Sequence, residues 1–488
     1  MRQVSFIHSS KYNKQIMRLQ DSLSGKKIEL KKTSKPIKLF VCGPTVYDKT
    51  HIGHARTYVA FDAFVQYLRY TGQKVFYLIN ITDVDDKIIA KAQQEQKNPF
   101  EIAEFFENDF HQTEKILNIE SVTKYARASD HIKEIIAQIK VLIKRGYAYE
   151  TQHGIYFKVK KFKNYGKLSK QNLNALRPGW RIDIDPEKKD PLDFALWKKS
   201  ASEIKTSDKK QPAIVDSEPF WKSPWGWGRP GWHIEDTAIT EKYFGVQYDI
   251  HGGAAELKFP HHESEIAQQE SASGKKPLVK IWMHTGVLLV GGQKMSKSLK
   301  NFITVDDFVS KYGSNALRLM ILNHSYHSPV DYTDETAQAA HNNIISLMQF
   351  LLKADFVSKH QKEGFGSLPL KEFEKQITES LDDDFNTPKA MGLLFELVNR
   401  IESSIYTLPA GEIKKAARFV QKYFEILGFV LPVPESEIPD KIFNLASERE
   451  EFRGNKQFIK ADALRNEINE LGYSVEDTPF GPFVRKDI

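Results

Sequence analysis

Two short runs carry residue types that suit nucleotide chemistry. His51-Ile52-Gly53-His54 follows a short apolar run ended by Gly-Pro, and "GGQKMSKSLKNF" spans Gly291 to Phe302. At a strand-to-helix turn, backbone N–H groups at the helix N-terminus attract phosphate, and Gly53 lets a nucleotide approach the backbone closely. His51 and His54 can then donate hydrogen bonds to a phosphate that gains charge in a transition state. The competing reading is a histidine cap on an ordinary helix. In the second run, Lys294 and Lys297 flank Ser296 behind a double glycine, a cationic loop able to clamp the β- and γ-phosphates of a nucleotide. Alone, such a loop is an ordinary solvated basic segment. Their order, an early His-x-Gly-His and a later Lys-Met-Ser-Lys-Ser before a helical region, favours the nucleotide reading.

The elements that must hold these runs are legible as an α/β pattern. "IKLFVCG" (Ile37 to Gly43) predicts a buried strand. Val59, Phe61, Phe64, Val65 and Leu68 then recur at helical spacing up to Gly72. "KVFYLINIT" (Lys74 to Thr82) predicts the next strand and "DVDDKIIAKAQ" the next helix, so the chain opens with a βαβ unit of a parallel sheet. Asp83, Asp85 and Asp86 read equally as helix-start carboxylates or as substrate contacts. From about Asp183 to Pro219 the chain turns polar, an insertion or surface excursion, before strand-like runs resume at "YDIHGG" and "WMHTGVLLVGG". Between Tyr332 and Val430 the stripes Ile344, Leu347, Met348, Leu351 and Leu393, Leu394, Leu397, Ile401 predict a helical bundle. A Pro-rich linker, "LPVPESEIPD", precedes a last basic unit. There Ala461, Leu464, Ile468 and Leu471 are expected to face inward, leaving Arg453, Lys456, Lys460, Arg465, Arg485 and Lys486 for solvent or RNA phosphate beside Phe452, Phe458 and Tyr473.

The fold class expected is α/β: a Rossmann-like parallel-sheet domain over 20–330, with an insertion about 125–220 and a closing segment about 300–330. A helical bundle over 331–431 and a small unit over 440–488 follow. The 488 residues exceed one hydrophobic core, and 41% hydrophobic with 27% charged residues is ordinary globular composition. A single cysteine excludes an internal disulfide framework and fits a reducing, cytoplasmic setting. The N-terminus has no signal-like apolar run, and no stretch approaches the roughly 20 apolar residues of a membrane span. The net charge of +7 permits a polyanionic partner.

With these motifs in place the chain resembles class I aminoacyl-tRNA synthetases. "RPGWHIEDTAI" (Arg229 to Ile239), "DIHGGAAELKFPHHESEIAQ" (Asp249 to Gln268), "ITDVDDKII" (Ile81 to Ile89) and "LDDDFNTPKA" (Leu381 to Ala390) are similar to the cysteinyl-tRNA synthetase family, from about Lys38 to the C-terminus. The resemblance implies ATP-dependent activation of L-cysteine and transfer to the terminal adenosine of tRNA(Cys). His51, Gly53, His54, Lys294, Ser296 and Lys297 would bind ATP, and the histidines and lysines would serve the reaction. It implies one zinc ion, bound by Cys42 with Asp236, His261 and Glu265, which takes the substrate thiolate and so separates cysteine from serine. Without the resemblance, Cys42 is a small buried thiol. Trp232 and His251 would shape the cysteine pocket, Mg²⁺ would accompany ATP, and the C-terminal unit would read the anticodon of a monomeric enzyme's tRNA. Asp236 stands where the family has cysteine, and Ala254 and Glu256 stand where it has glycine and aspartate. His262, beside His261, is not a family ligand. The rivals are a cysteine ligase with a small amine acceptor and a non-catalytic RNA-binding paralogue. The apparent anticodon module argues against the first, and the intact ATP motifs argue against the second.

Overall fold

A computed structural model of the chain describes residues 16–31, 34–171, 187–200, 212–296, 299, 301–431 and 438–487. Lys297, assigned above to the phosphate clamp, lies outside them. The chain divides into two compact units, the first made of 1–311, 324–333 and 382–385, the second of 312–323, 334–381 and 386–488. Among the described residues no helix is long and apolar enough to cross a membrane.

The first unit is built on a parallel sheet. Its strands are β1 (Ile37–Val41), β2 (Val75–Ile81), β3 (Lys124–Arg127), β4 (Tyr248–Ala254) and β5 (Val279–Thr285), ordered β5-β4-β1-β2-β3. The β-branched and aromatic runs seen in the sequence form β1, β2, β4 and β5, buried along most of their length. Chain order reverses between β1 and β4, and in open α/β sheets ligands bind at the carboxyl ends of strands at such a switch point. Register places His251 between Phe40 of β1 and Trp282 of β5. Cys42 falls one residue beyond β1, its N–H donating to the Gly252 carbonyl at 3.1 Å.

Helix α1 (Ile52–Tyr70) crosses from β1 to β2, with Val59, Phe61, Phe64, Val65 and Leu68 all buried as their spacing required. At Gly252 a side chain is excluded: an added Cβ would lie 2.3 Å from the Phe61 ring. Between β3 and β4 a six-stranded sheet with antiparallel pairings uses the segments 148–157, 194–199 and 213–230. The polar excursion thus differs from its expected character. Within it, Phe194–Lys199 is a strand that buries Phe194, Ala195, Leu196 and Trp197; four apolar residues between charged flanks are too few to set a visible period. Helices α2 (Ile234–Phe244) and α3 (His261–Ser273) flank β4 in sequence.

The second unit is mostly helical. Asp334–His360, Thr387–Ser404 and Ala410–Ile426 are its longest helices, with Ile344, Leu347, Met348, Leu351, Leu394, Leu397 and Ile401 buried. Ser314–Leu322 also belongs here, its Arg318 Nη1 donating to the Leu427 carbonyl at 2.9 Å. The last residues form two helices, Asp440–Gly454 and Phe458–Glu470, and a hairpin, around Ile442, Ala446, Ile468 and Val475. Leu471, expected inside, is 41% exposed, because the helix ends one residue before it. Arg453 and Arg485 are tied to Asp477 and Glu476. Lys456, Lys460 and Arg465 are exposed.

Candidate active site at the carboxyl end of the sheet

His51 is the N-cap of α1. The Gly53 and His54 N–H groups donate to its Nδ1 at 3.0 and 3.3 Å. A ring nitrogen that accepts two N–H groups carries the lone pair, so the proton sits on Nε2, which remains a donor. The cap reading and the donor reading therefore describe the same residue. The rings of His51 and His54 stack with centroids 3.7 Å apart. Burial pushes the His51 imidazolium down to about 4 and that of His54 well below its usual range, so both are neutral donors near pH 7. Gly53 must lack a side chain, since a Cβ there would lie 2.8 Å from His51 Cε1 and 3.4 Å from Met295 Cε.

The lysine loop is brought to this turn by backbone pairing: Ile52 N–H donates to the Ile303 carbonyl at 3.1 Å, and Ile303 N–H to Met295 Sδ at 3.4 Å. Ser296 N–H and the Lys294 carbonyl are both held by Asn301. The exposed Lys294 ammonium forms an ion pair with Glu256, the residue standing in place of the family's aspartate. Nothing in the residue pattern signals this pairing, since the two residues sit in different segments.

Cys42 anchors the other end of the site. Its Sγ lies 3.4 Å from Asp236 Oδ2, 3.4 Å from His251 Nε2 and 3.1 Å from His262 Nε2. His261 Nε2 is 2.8 Å from Asp236 Oδ2 and 3.3 Å from Glu265 Oε1. Two four-residue sets keep all their ligand atoms within 4.8 Å of one another: Cys42, Asp236, His261, Glu265, and Cys42, His251, His262, Glu265. All six residues are buried. The helical spacing of His261 and Glu265 does put both on the side of α3 that faces Cys42. His262, set aside on sequence grounds, is brought in as well.

These residues fit a metal ion by a criterion independent of their identities. Both oxygens of Glu265 and Asp236 Oδ1 are buried with no hydrogen-bond partner, which leaves their desolvation uncompensated. Burial, then the neighbouring Asp236 and Glu265, raises the Cys42 thiol above its usual range. Burial, then Asp236 and Glu235, does the same for the Glu265 carboxyl. A divalent cation amid one sulfur, imidazole nitrogens and carboxylate oxygens removes both penalties, and that donor mixture is ordinary for zinc.

Trp232 is 38% exposed and stacks on the His261 ring at 4.2 Å. His251 is fully buried, stacked on Trp282 at 4.3 Å, and reaches the site through Cys42. Asp85 caps the helix Asp86–Glu95, Asp86 pairs with Arg229 and Lys198, and Asp83 is buried against Ser129. Among the described residues, a cavity of about 270 Å³ is lined by Cys42, Asp236 and His261 together with His51, His54 and Lys294. A neighbouring cavity of about 560 Å³ shares Trp232, Glu256, His261 and Lys294 with it and is lined beyond them by Phe194, Lys198 and Arg229.

Comparison with known proteins identifies the family. Residues 29–342 match the family model of the tRNA synthetases class I (C) catalytic domain, and residues 376–431 match the DALR domain. The cysteine–tRNA ligase of Thermococcus onnurineus is 40% identical over 481 residues, covering 95% of this chain and 98% of the relative. That of Methanococcus maripaludis strain C7 is 41% identical over 480 residues, with the same coverage. Among solved structures, Mycobacterium tuberculosis methionyl-tRNA synthetase bound by methionyl-adenylate superposes with a TM-score of 0.59 at 14% identity, over 80% of this chain and 92% of that one. A putative arginyl-tRNA synthetase from Campylobacter jejuni gives 0.54 at 14% identity, over 82% and 94%. Both likenesses concern the fold. The chain belongs to the cysteine–tRNA ligase family of class I aminoacyl-tRNA synthetases.

Proposed function

We propose that the chain is a cysteine–tRNA ligase that couples ATP to L-cysteine and passes the cysteinyl group to the 3′-terminal adenosine of tRNA(Cys). One observation supports the reading: His51, His54 and Lys294 line the same cavity of about 270 Å³ as Cys42, Asp236 and His261. The cysteine carboxylate is already anionic, so attack on the α-phosphorus needs no protein base; positioning and charge stabilisation suffice. His51 Nε2–H and the His54 imidazole donate to the α-phosphate and leaving-group side. Lys294 leaves Glu256 for the pyrophosphate, joined by Lys297 and the Ser296 hydroxyl, and Mg²⁺ accompanies the triphosphate. Cys42, Asp236, His261 and Glu265 would hold one zinc ion, which supplies a thiophilic position that separates cysteine from serine. Trp232 covers His261 and, with His251 behind Cys42, shapes the pocket. The adjoining cavity, with Lys198, Arg229 and aromatic walls, suits entry of the acceptor nucleotide.

The working form would be a cytoplasmic monomer whose C-terminal unit reads the anticodon. Charging of a tRNA(Cys) transcript with radiolabelled cysteine tests the reading against a small-amine ligase. Acid-precipitable, tRNA-dependent label is the expected result. Cysteine activation without label transfer to tRNA would contradict it.

A further inference from the structure

We propose that Lys87 is a further catalytic residue of this site, the ammonium group that meets the cysteine carboxylate and the α-phosphate where they join. The assignment rests on the reading of the chain as a cysteine-activating enzyme, and it adds to that reading a residue of the "ITDVDDKII" run.

Charge around the cavity carries the proposal. Among the described side chains that line the cavity of about 270 Å³, two bear ammonium groups, Lys87 and Lys294. Lys294 is held by Glu256. The Lys87 ammonium instead lies over the ring of Tyr47, 5.0 Å from its centroid, and Tyr47 lines the same cavity. Among the described residues Lys87 forms no ion pair. Asp85 accepts its backbone N–H at 3.0 Å, and Asp86 is taken up by Arg229 and Lys198. An aromatic face attracts the charge weakly, and an anion whose lone pairs accept the ammonium N–H groups displaces it readily.

Local structure gives this position no reason to be a lysine. Lys87 is the second residue of the helix Asp86–Glu95, where the positive end of the helix dipole disfavours a cation. Residues that break a local rule are expected where function requires them. The sheet indicates which function. Lys87 follows β2, on one side of β1, and Lys294 follows β5, on the other, while Cys42 stands just beyond β1 itself. The field of Lys87 also reaches the histidine turn: burial, then His51, then Lys87 push the His54 imidazolium down. With Lys294 directed to the pyrophosphate, Lys87 is the cation left for the reacting centre.

Two anions must approach there. The carboxylate oxygen bonds to the α-phosphorus as the bond to the pyrophosphate oxygen breaks, and pyrophosphate leaves with that electron pair. Lys87 keeps its proton and offsets the repulsion between carboxylate and phosphate. The neutral His51 and His54 donate hydrogen bonds but bring no charge.

Lys87→Met keeps most of the side chain and removes the charge, whereas Lys87→Arg keeps the charge. In ATP–pyrophosphate exchange by the full-length protein, Lys87→Met should lower kcat by about 10²- to 10³-fold, and Lys87→Arg should recover to within about tenfold of the unsubstituted chain. Equilibrium binding of L-cysteine and of L-cysteinol, which lacks the carboxylate, separates contact from support. Lys87→Met should weaken cysteine by about tenfold and cysteinol by less than about twofold. Full exchange by Lys87→Met, or an equal loss for the two ligands, would overturn the assignment. Lys87 is exposed, so the variant should melt with the unsubstituted chain; Lys87→Gln, a second neutral variant, repeats the test with a shorter side chain. Exchange absent from the unsubstituted protein would instead overturn the parent reading.

Discussion

Cys42 Sγ and Asp236 Oδ2 lie 3.4 Å apart, and both residues are buried. Burial beside carboxylates holds the thiol proton of Cys42 until a cation arrives. Cys42 is raised by burial, Asp236 and Glu265, and Glu265 by burial, Asp236 and Glu235. A raised folded-state pKa stabilises the fold below the unfolded value and loses that contribution as pH climbs. The buried His251, His262 and His284 are lowered, so their contribution is complete above about 6.5 and adds no slope beyond it. Chelator-treated protein should therefore melt at lower temperature at pH 9 than at pH 7, and zinc should remove most of the difference. Thermal melts at both pH values check this; a metal-free protein equally stable at both would contradict the clustering of protonated acids.

The His51 and His54 rings, already neutral near pH 7, need no titration to act as donors. Adenylation should show no loss attributable to them as pH rises through 6.5. His54→Ala should slow adenylation by about 10² to 10³, the usual cost of one preorganised donor. His51→Ala should slow it similarly and also destabilise the protein by about 1 kcal/mol, because the cap of α1 is lost. Single-turnover kinetics and denaturant melts separate the two effects.

Lys294 is held by Glu256 across an exposed ion pair with side chains 58% and 37% accessible. Pairs of this kind contribute about 0.2–1 kcal/mol. Glu256→Gln should release Lys294 and tighten ATP binding by up to about fivefold, whereas Lys294→Ala should slow adenylation by about 10² to 10³. Unchanged ATP affinity in Glu256→Gln would show that the pair does not compete with phosphate.

Removal of residues 434–488 should spare cysteine activation and weaken tRNA charging. The exposed Lys456, Lys460 and Arg465 lie on this small unit, which has its own core of Ile442, Ala446, Ile468 and Val475. Normal charging by the truncated protein would exclude it from tRNA recognition.

Asp236→Cys should hold zinc more tightly than the unsubstituted chain, since a second thiolate softens the shell around the ion. Chelator competition measures the difference, and looser binding would contradict the account of the donors.

Much of this was legible in the sequence because each motif coincides with a change of element. Cys42 ends an apolar run, His51 opens an amphipathic one, and His261 and Glu265 are four apart. His262 was not legible. Periodicity separates faces only when one face meets water, and α3 is buried from His261 to Ala272 on every side. Two adjacent histidines there meet different neighbours, and both are buried. The Glu256–Lys294 pair was likewise hidden, since it depends on how two loops meet. Phe194–Lys199 was masked by the charges around it, and Leu471 by a helix that stops one residue early.

ATP–pyrophosphate exchange with cysteine and serine as alternative substrates tests the central claim most directly. The two amino acids differ by sulfur against oxygen, and among the described residues the groups around Cys42 form the metal-binding candidates that can tell them apart. Exchange with cysteine should exceed that with serine by on the order of 10² or more, and chelation should erode it. Equal exchange with both amino acids would contradict the account.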